Sequence, residues 1–383
     1  MKKSRRWSCD FLCLAHRLET KGAVKPGGID LIVDYLLKRG QRVAMLENPL
    51  NGRGETRLLL REGEASRTLA RRRLPGAGPM RWFLETLVTP NLVNGHLQGD
   101  FTVICADPLN FAAAGPLLHP GRRGILLVVD YTPRRFEARW LNAAYQRTFR
   151  SALGKAAQVW AASAPAAELC RELTGEPQKV FWLPNSPFLA DFPRVSPGQR
   201  DPADLVLVGH LNASTDLETV AGGMAALAGN VPRINLTVIG PGVRREEAFA
   251  EAGVGDRVRY LGQLARSEAR VAMSRAGLGL AFYGGDPDLD AYRDSLKIRE
   301  YAAAGLPIIG DGITPTAREG RRVGACFPAE TPEEMAKTVK NFLDDPDLYR
   351  EASENALAWA REMDKERILS GLLAQLEESP CAE

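Results

Sequence analysis

The sequence predicts an α/β protein with two Rossmann-like domains, each a doubly wound parallel sheet, facing a central cleft. Three observations carry that expectation. At 383 residues the chain exceeds one ordinary core. Short apolar runs alternate with amphipathic segments in two separate series, as strand–helix units around parallel sheets require. Between the series lies a proline-rich stretch without periodicity, from Pro184-Asn185-Ser186-Pro187 through Pro193 and Pro197-Gly198 to Asp201-Pro202. The expected division is an N-terminal domain over 1–187, a linker over 188–203 and a C-terminal domain over 204–348. Helices over 349–383 then partly cross back to the first domain.

In the first series, Phe11 to Ala15 reads as a buried strand. A Gly/Pro loop from Lys21-Gly22 to Pro26-Gly27-Gly28 follows, then a helix from Asp30 to Lys38 closed by Gly40. Further strands are expected at Arg42–Leu46, Phe101–Cys105, Gly124–Val129, Val159–Ser163 and Val180–Leu183. The second series runs through Asp204–Gly209, Ile234–Gly240, Val258–Gly262, Leu278–Phe282 and Leu306–Gly310. From Pro332 onward the pattern is helical, with a long amphipathic segment around Tyr349 to Leu376.

Composition sets limits on function. The profile, 45% hydrophobic and 25% charged, is that of a soluble globular protein. A net charge of +3 lacks the strongly basic character of nucleic-acid binders. The cysteines at 9, 13, 105, 170, 326 and 381 have no zinc-type spacing and read as buried thiols of a reducing compartment. No apolar stretch approaches the length of a membrane span, so a cytoplasmic location is expected. One local feature stands out. Eight arginines (53, 57, 61, 67, 71, 72, 73, 81) face three glutamates (55, 62, 64), and the stretch runs into Met80-Arg81-Trp82-Phe83-Leu84. It reads as a solvated face or as a peripheral contact with the inner membrane surface.

The densest chemical signal is Tyr292-Arg293-Asp294-Ser295-Leu296-Lys297-Ile298-Arg299-Glu300-Tyr301-Ala302-Ala303-Ala304-Gly305-Leu306-Pro307. Asp294 or Ser295 caps a helix that Gly305 ends. Open amides at its start, near Ser295 and Leu296, with Lys297 in the first turn, form an anion site. Glu300, one turn on, suits sugar hydroxyls. A pyrophosphate on the amides and a ribose on the carboxylate make a coherent nucleotide-diphosphate site.

This element resembles the K-x-x-E-Y-x-A-x-G-x-P-V motif of the GT-B glycosyltransferases, family 4-like, through Lys297, Glu300, Tyr301, Ala303, Gly305, Pro307 and Ile308. Leu207-Val208-Gly209-His210-Leu211, Leu236–Gly242 and Val258–Gly262 supply the accompanying landmarks in order. The stretch is also similar to the xanthan-type glucuronosyltransferases. The resemblance covers roughly 203–376, and the first half only in layout. It implies that Glu300 holds the donor ribose, that Lys297 and the Ser295 and Leu296 amides hold the pyrophosphate, and that Gly209 and His210 line the phosphates. Tyr260 to Gln263 would lie near the base, with Gly284 shaping the pocket. Two departures stand out. Tyr292 occupies the place of a second glutamate, and His210 and Thr215 occupy places that often hold Arg and Lys.

For chemistry, Asp130 follows the apolar run 124–129, where a carboxylate can take a proton from an acceptor hydroxyl. His16, after the first strand, is the competing base, and Gly27-Gly28 would let the backbone approach an acceptor. Asp288-Leu289-Asp290 spells D-x-D but reads as loop, and no metal or other cofactor is expected. The implied activity is transfer of a sugar, hexosyl or glucuronosyl, from a nucleotide-diphosphate sugar, in first place a UDP-sugar, to a glycan or lipid-linked glycan. A nucleotide-sugar epimerase of the same fold and a non-catalytic nucleotide-sugar binder are the alternatives.

Overall fold

The computed structural model describes residues 6–17, 19–20, 23–24, 28–50, 54–76, 78–129, 131–209, 215–240, 246–285 and 290–378. The chain forms two compact units. Unit 1 comprises Met1–Leu183 with Leu369–Glu383, and unit 2 comprises Pro184–Ile368. The proline-rich residues 184–203 thus fold with unit 2.

Unit 1 holds β1 (Phe11–Arg17), the short pair β2 (Glu19–Thr20) and β3 (Ala23–Val24), α1 (Gly28–Lys38), β4 (Val43–Pro49), β5 (Glu55–Glu62), β6 (Ala65–Arg73) and α2 (Gly78–His96). It continues with β7 (Thr102–Cys105), α3 (Pro108–Ala114), β8 (Gly124–Val128), α4 (Arg139–Lys155), β9 (Gln158–Ala161), α5 (Ala164–Thr174) and β10 (Val180–Trp182). The main sheet has the order β10-β9-β8-β7-β1-β4-β5-β6. Six strands are parallel, but β5 pairs antiparallel with β4, and β6 antiparallel with β5. The parallel sheet expected here is present, with an antiparallel hairpin added at its edge. The basic stretch supplies a hairpin that extends the edge. Along β5, Thr56, Leu58 and Leu60 are buried at every second position, while β6 buries nothing fully and carries arginines instead. Without an apolar face, β6 gives no strand pattern to read.

Unit 2 holds β11 (Asp204–Val208), β12 (Asn235–Ile239), β13 (Val258–Gly262), β14 (Leu278–Ala281), β15 (Ile308–Gly310) and β16 (Cys326–Pro328), all parallel. Their order, β13-β12-β11-β14-β15-β16, is that of a dinucleotide-binding sheet, and ligands of such sheets bind where the order reverses, beside β11 and β14. Leu205, Val206 and Leu207 are buried on both faces of the sheet, as a central parallel strand demands.

The helix Leu296–Ala304 is fixed from several sides. Tyr301 is fully buried, donates to the Leu280 carbonyl at 3.1 Å and accepts from the Val208 amide at 2.7 Å. Gly279 makes room for that ring, since a Cβ there would lie 2.5 Å from it. Arg200 donates to the Ala304 and Gly305 carbonyls, both at 2.6 Å, placing a buried cation at the helix's C-terminal end. Trp359 is buried in the same unit 2 core cluster as Tyr301, with the Arg299 guanidinium 5.3 Å from its ring centre. Only from Leu369 does the chain rejoin unit 1. Among the described residues no helix is long and apolar enough to cross a membrane.

Candidate functional site

The Leu296–Ala304 helix begins at Ser295, whose hydroxyl accepts from the Ile298 amide, and ends at Gly305 in the left-handed conformation (φ 74°). The Ser295 amide donates to Thr316 Oγ1 at 2.8 Å, so it is engaged within the protein. Among the described residues, the Leu296 and Lys297 amides have no protein acceptor, as expected of the first turn of a helix.

Around this start stand residues that the sequence reading passed over. Tyr283, directly after Phe282 at the end of β14, bonds through its hydroxyl to the Ser295 side chain. Lys297 Nζ lies 4.1 Å from the centre of the Tyr283 ring, and the Arg293 guanidinium 5.2 Å from the same ring. Arg293 also pairs with Asp290 at 2.9 Å. Two cations therefore approach one phenol ring beside the first amides of the helix. Tyr283 was findable, because it follows a strand's carboxyl end, where parallel-sheet ligands bind.

Lys297 makes no ion pair or hydrogen bond with a described residue. Burial pushes its ammonium down to about 8, partly offset by Asp311 nearby. Glu300 likewise has no hydrogen-bond partner among the described residues. Burial pushes its carboxyl up to about 7, against the charges of Arg270 and Arg266. A half-buried lysine and a half-buried glutamate thus lie on one helix, neither with an ion pair or hydrogen bond among the described residues, an arrangement suited to a ligand.

Asp294, just before the cap, is the opposite case. It is buried, accepts from Arg299 Nε at 2.9 Å and Thr316 Oγ1 at 2.6 Å, and also bonds the Asn185 amide. Arg299 is held in turn by Glu319 at 2.9 Å. This cluster anchors the helix start from beneath.

The remaining donor-side positions divide. Gly209 follows β11 with φ 136°, and open space surrounds the place of a Cβ. Gly240, after β12, approaches so closely that a Cβ there would lie 1.8 Å from the Gly209 carbonyl, so two glycine turns meet at the sheet's binding edge. Gly284 is exposed after β14, beside Gly285 at φ 69°. Tyr292 is half-buried two residues before Asp294. Tyr260 lies within β13, opposite Val238, and packs on the unit 2 core. His210 lies outside the described residues.

On unit 1, Asp130 and Gly27 also lie outside the described residues, and Gly28 opens α1. His16 sits near the end of β1, at the β1–β7 reversal of strand order. Its Nδ1 is 2.9 Å from Asp107 and its Nε2 2.9 Å from Glu85. Burial works against its charge, but the two carboxylates lift it to about 10. Such an imidazolium has no lone pair with which to take a proton. Asp107 caps α3 through the Leu109 and Asn110 amides. Burial opposes its ionisation, but His16 and the Asn110 amide hold it down at about 2. Glu85 also accepts from Arg81 at 2.9 Å. Next to His16, Arg17 grips Asp30 through two bonds of 2.6 and 2.7 Å.

Residues 202–345 match the family described as glycosyl transferases group 1. Comparison with curated protein sequences gives no significant match. Among solved structures, Anabaena HepE in complex with UDP superposes with a TM-score of 0.66 at 13% identity, covering 96% of this chain and 99% of that one. Sucrose-phosphate synthase from Thermosynechococcus elongatus gives 0.65 at 14%, covering 97% and 98%. α,α-Trehalose 6-phosphate synthase from Burkholderia multivorans gives 0.66 at 14%, again covering 97% and 98%. At such identities the likeness establishes the fold. Residues 202–345 are thus similar to the group 1 glycosyl transferases, and the chain has the two-domain GT-B fold.

Proposed function

We propose that the protein transfers a sugar from a UDP-sugar to a hydroxyl of a glycan or lipid-linked glycan. The observation that carries this reading is the pair Lys297 and Glu300, neither with an ion pair or hydrogen bond among the described residues, on a helix whose first amides have no acceptor among those residues. The diphosphate binds the Leu296 and Lys297 amides, with Lys297 and Arg293 as countercharges, and the ribose hydroxyls donate to Glu300. As the bond between sugar and diphosphate breaks, these amides and cations stabilise the charge that develops on the leaving oxygen, without a metal ion. Arg293 makes good the missing basic residues at 210 and 215. HepE, of similar fold, has been solved with UDP and with UDP-glucose, which supports uridine as the base. Asp130 is the proposed base toward the acceptor. His16 is better suited to hold Asp107 and Glu85 than to take a proton.

Thermal unfolding against a panel of nucleotide diphosphates tests the donor site, because a ligand of the native state raises Tm by mass action. UDP should raise it, and Glu300→Ala and Lys297→Ala should remove most of the rise while keeping the unliganded Tm. No rise with any nucleoside diphosphate at millimolar concentration rejects the reading. Release of UDP from UDP-sugars in the presence of glycan acceptors then separates transfer from simple binding.

A further inference from the structure

Unit 1 carries large apolar side chains in water on two of its helices, α2 and α4. Along α2, Met80 is 57% exposed, Phe83 63% and Leu87 54%, at the three- and four-residue spacing that lines up one helix face. The only charged side chains of the helix before His96, Arg81 and Glu85, are buried beneath, so this face is uncharged through its first turns. Trp82, on the adjoining face, packs against Phe136 with ring centres 5.1 Å apart, and Phe136 is held through its backbone by Asn142 of α4. The start of α4 is thereby joined to α2, and it presents Trp140, 67% exposed.

The flanks are basic. Arg71, Arg72 and Arg73 end β6 only a few residues before α2 and form no ion pair among the described residues, with Glu55 the acid opposite Arg73. On the other side, the stretch 131–155 holds Arg134, Arg135, Arg139, Arg147, Arg150 and Lys155 against Glu137 alone. Arginines on an edge strand would by themselves be explained by the need to repel other strands. That need does not account for the large apolar side chains exposed on α2, the helix packed against β6.

We propose that the first turns of α2, the start of α4 and the end of β6 form a docking surface for an anionic lipid bilayer. Met80, Phe83, Leu87 and Trp140 enter the interface between headgroups and chains, and the arginines take the anionic headgroups. A bilayer fits both halves of this surface at once, whereas a polyanion such as nucleic acid has no use for the apolar stripe. The surface belongs to unit 1 and uses no residue of the donor site, so it stands or falls independently of the transferase reading.

Flotation of the full chain with vesicles tests it. One set is phosphatidylcholine alone, and the other contains about a third phosphatidylglycerol. The protein should float with the anionic vesicles only and be released by salt. Phe83→Ser with Leu87→Ser should lower the partition coefficient by about tenfold or more, and so should Arg71→Glu with Arg72→Glu. Lys297→Ala should bind vesicles as the unaltered protein does, even though it binds UDP more weakly. Absence of binding to anionic vesicles overturns the proposal. So does binding that the Phe83/Leu87 pair leaves unchanged, which would mark a polyanion site, and so does a concentration-dependent dimer abolished by that pair, which would mark an interface with a second copy.

Discussion

The switch point of unit 1, around His16, and that of unit 2, around Lys297, look alike in the sequence but differ in one physical respect. Both gather charged side chains at the carboxyl ends of parallel strands. Around His16 every charge has a counterpart: Asp107 and Glu85 on the imidazole, Arg81 on Glu85, and Asp30 on Arg17. Around Lys297 the two groups that matter, its own ammonium and the Glu300 carboxylate, feel opposite charges only at a distance and make no ion pair or hydrogen bond among the described residues. Charges that complete one another within the chain hold the fold. Charges left incomplete beside open amides await a ligand. Within unit 2 the same contrast recurs between neighbours, since buried Asp294 is fully engaged and Lys297, three residues on, is not.

The largest test removes a counterpart. Asp107→Ala leaves a buried imidazolium half paired and should cost about 3–5 kcal/mol in denaturant unfolding. Lys297→Ala and Glu300→Ala should instead change stability by less than about 0.5 kcal/mol. Equal losses for both classes would break the comparison.

Next is the pH dependence of unit 1. The folded imidazole of His16 titrates near 10, above its ordinary 6.5. Its contribution to stability is therefore complete below 6.5 and is lost as pH rises to about 10. Unfolding followed across that window should show stability declining, and His16→Gln should flatten the decline. A profile identical in the variant would mean that the imidazole is not held as a cation.

A smaller effect is expected on ligand affinity. Lys297→Ala should weaken UDP binding by roughly tenfold to a hundredfold, about 1.4–2.8 kcal/mol, read by calorimetry. Arg293→Ala should lose less, because the paired Asp290 already shares its charge. The smallest effect is the pH profile of UDP binding. Glu300 is protonated below about 7, and Lys297 loses its charge above about 8. Affinity should therefore peak between these values. Glu300→Gln should remove the acid limb, and Lys297→Met the alkaline one.

Much of this molecule is determined locally. The strands of unit 2 are near-continuous apolar runs bounded by glycines, and the donor helix carries its cap, its cation and its terminating Gly305 within one segment. Periodicity and capping chemistry act over a few residues, so the alternation of strand and helix and the candidates Lys297 and Glu300 are legible in the sequence. Other features arise only when distant segments meet. The pairing of β6 on β5 rests on strand partnership, because β6 has no apolar face of its own. Trp359 belongs to unit 2 because Arg299 and the Tyr301 helix leave a place for it there. His16 carries a proton because Glu85 and Asp107, 69 and 91 residues away, close on its two nitrogens. A side chain's type is written in the sequence, but whether its charge is answered from within depends on what long-range folding brings beside it.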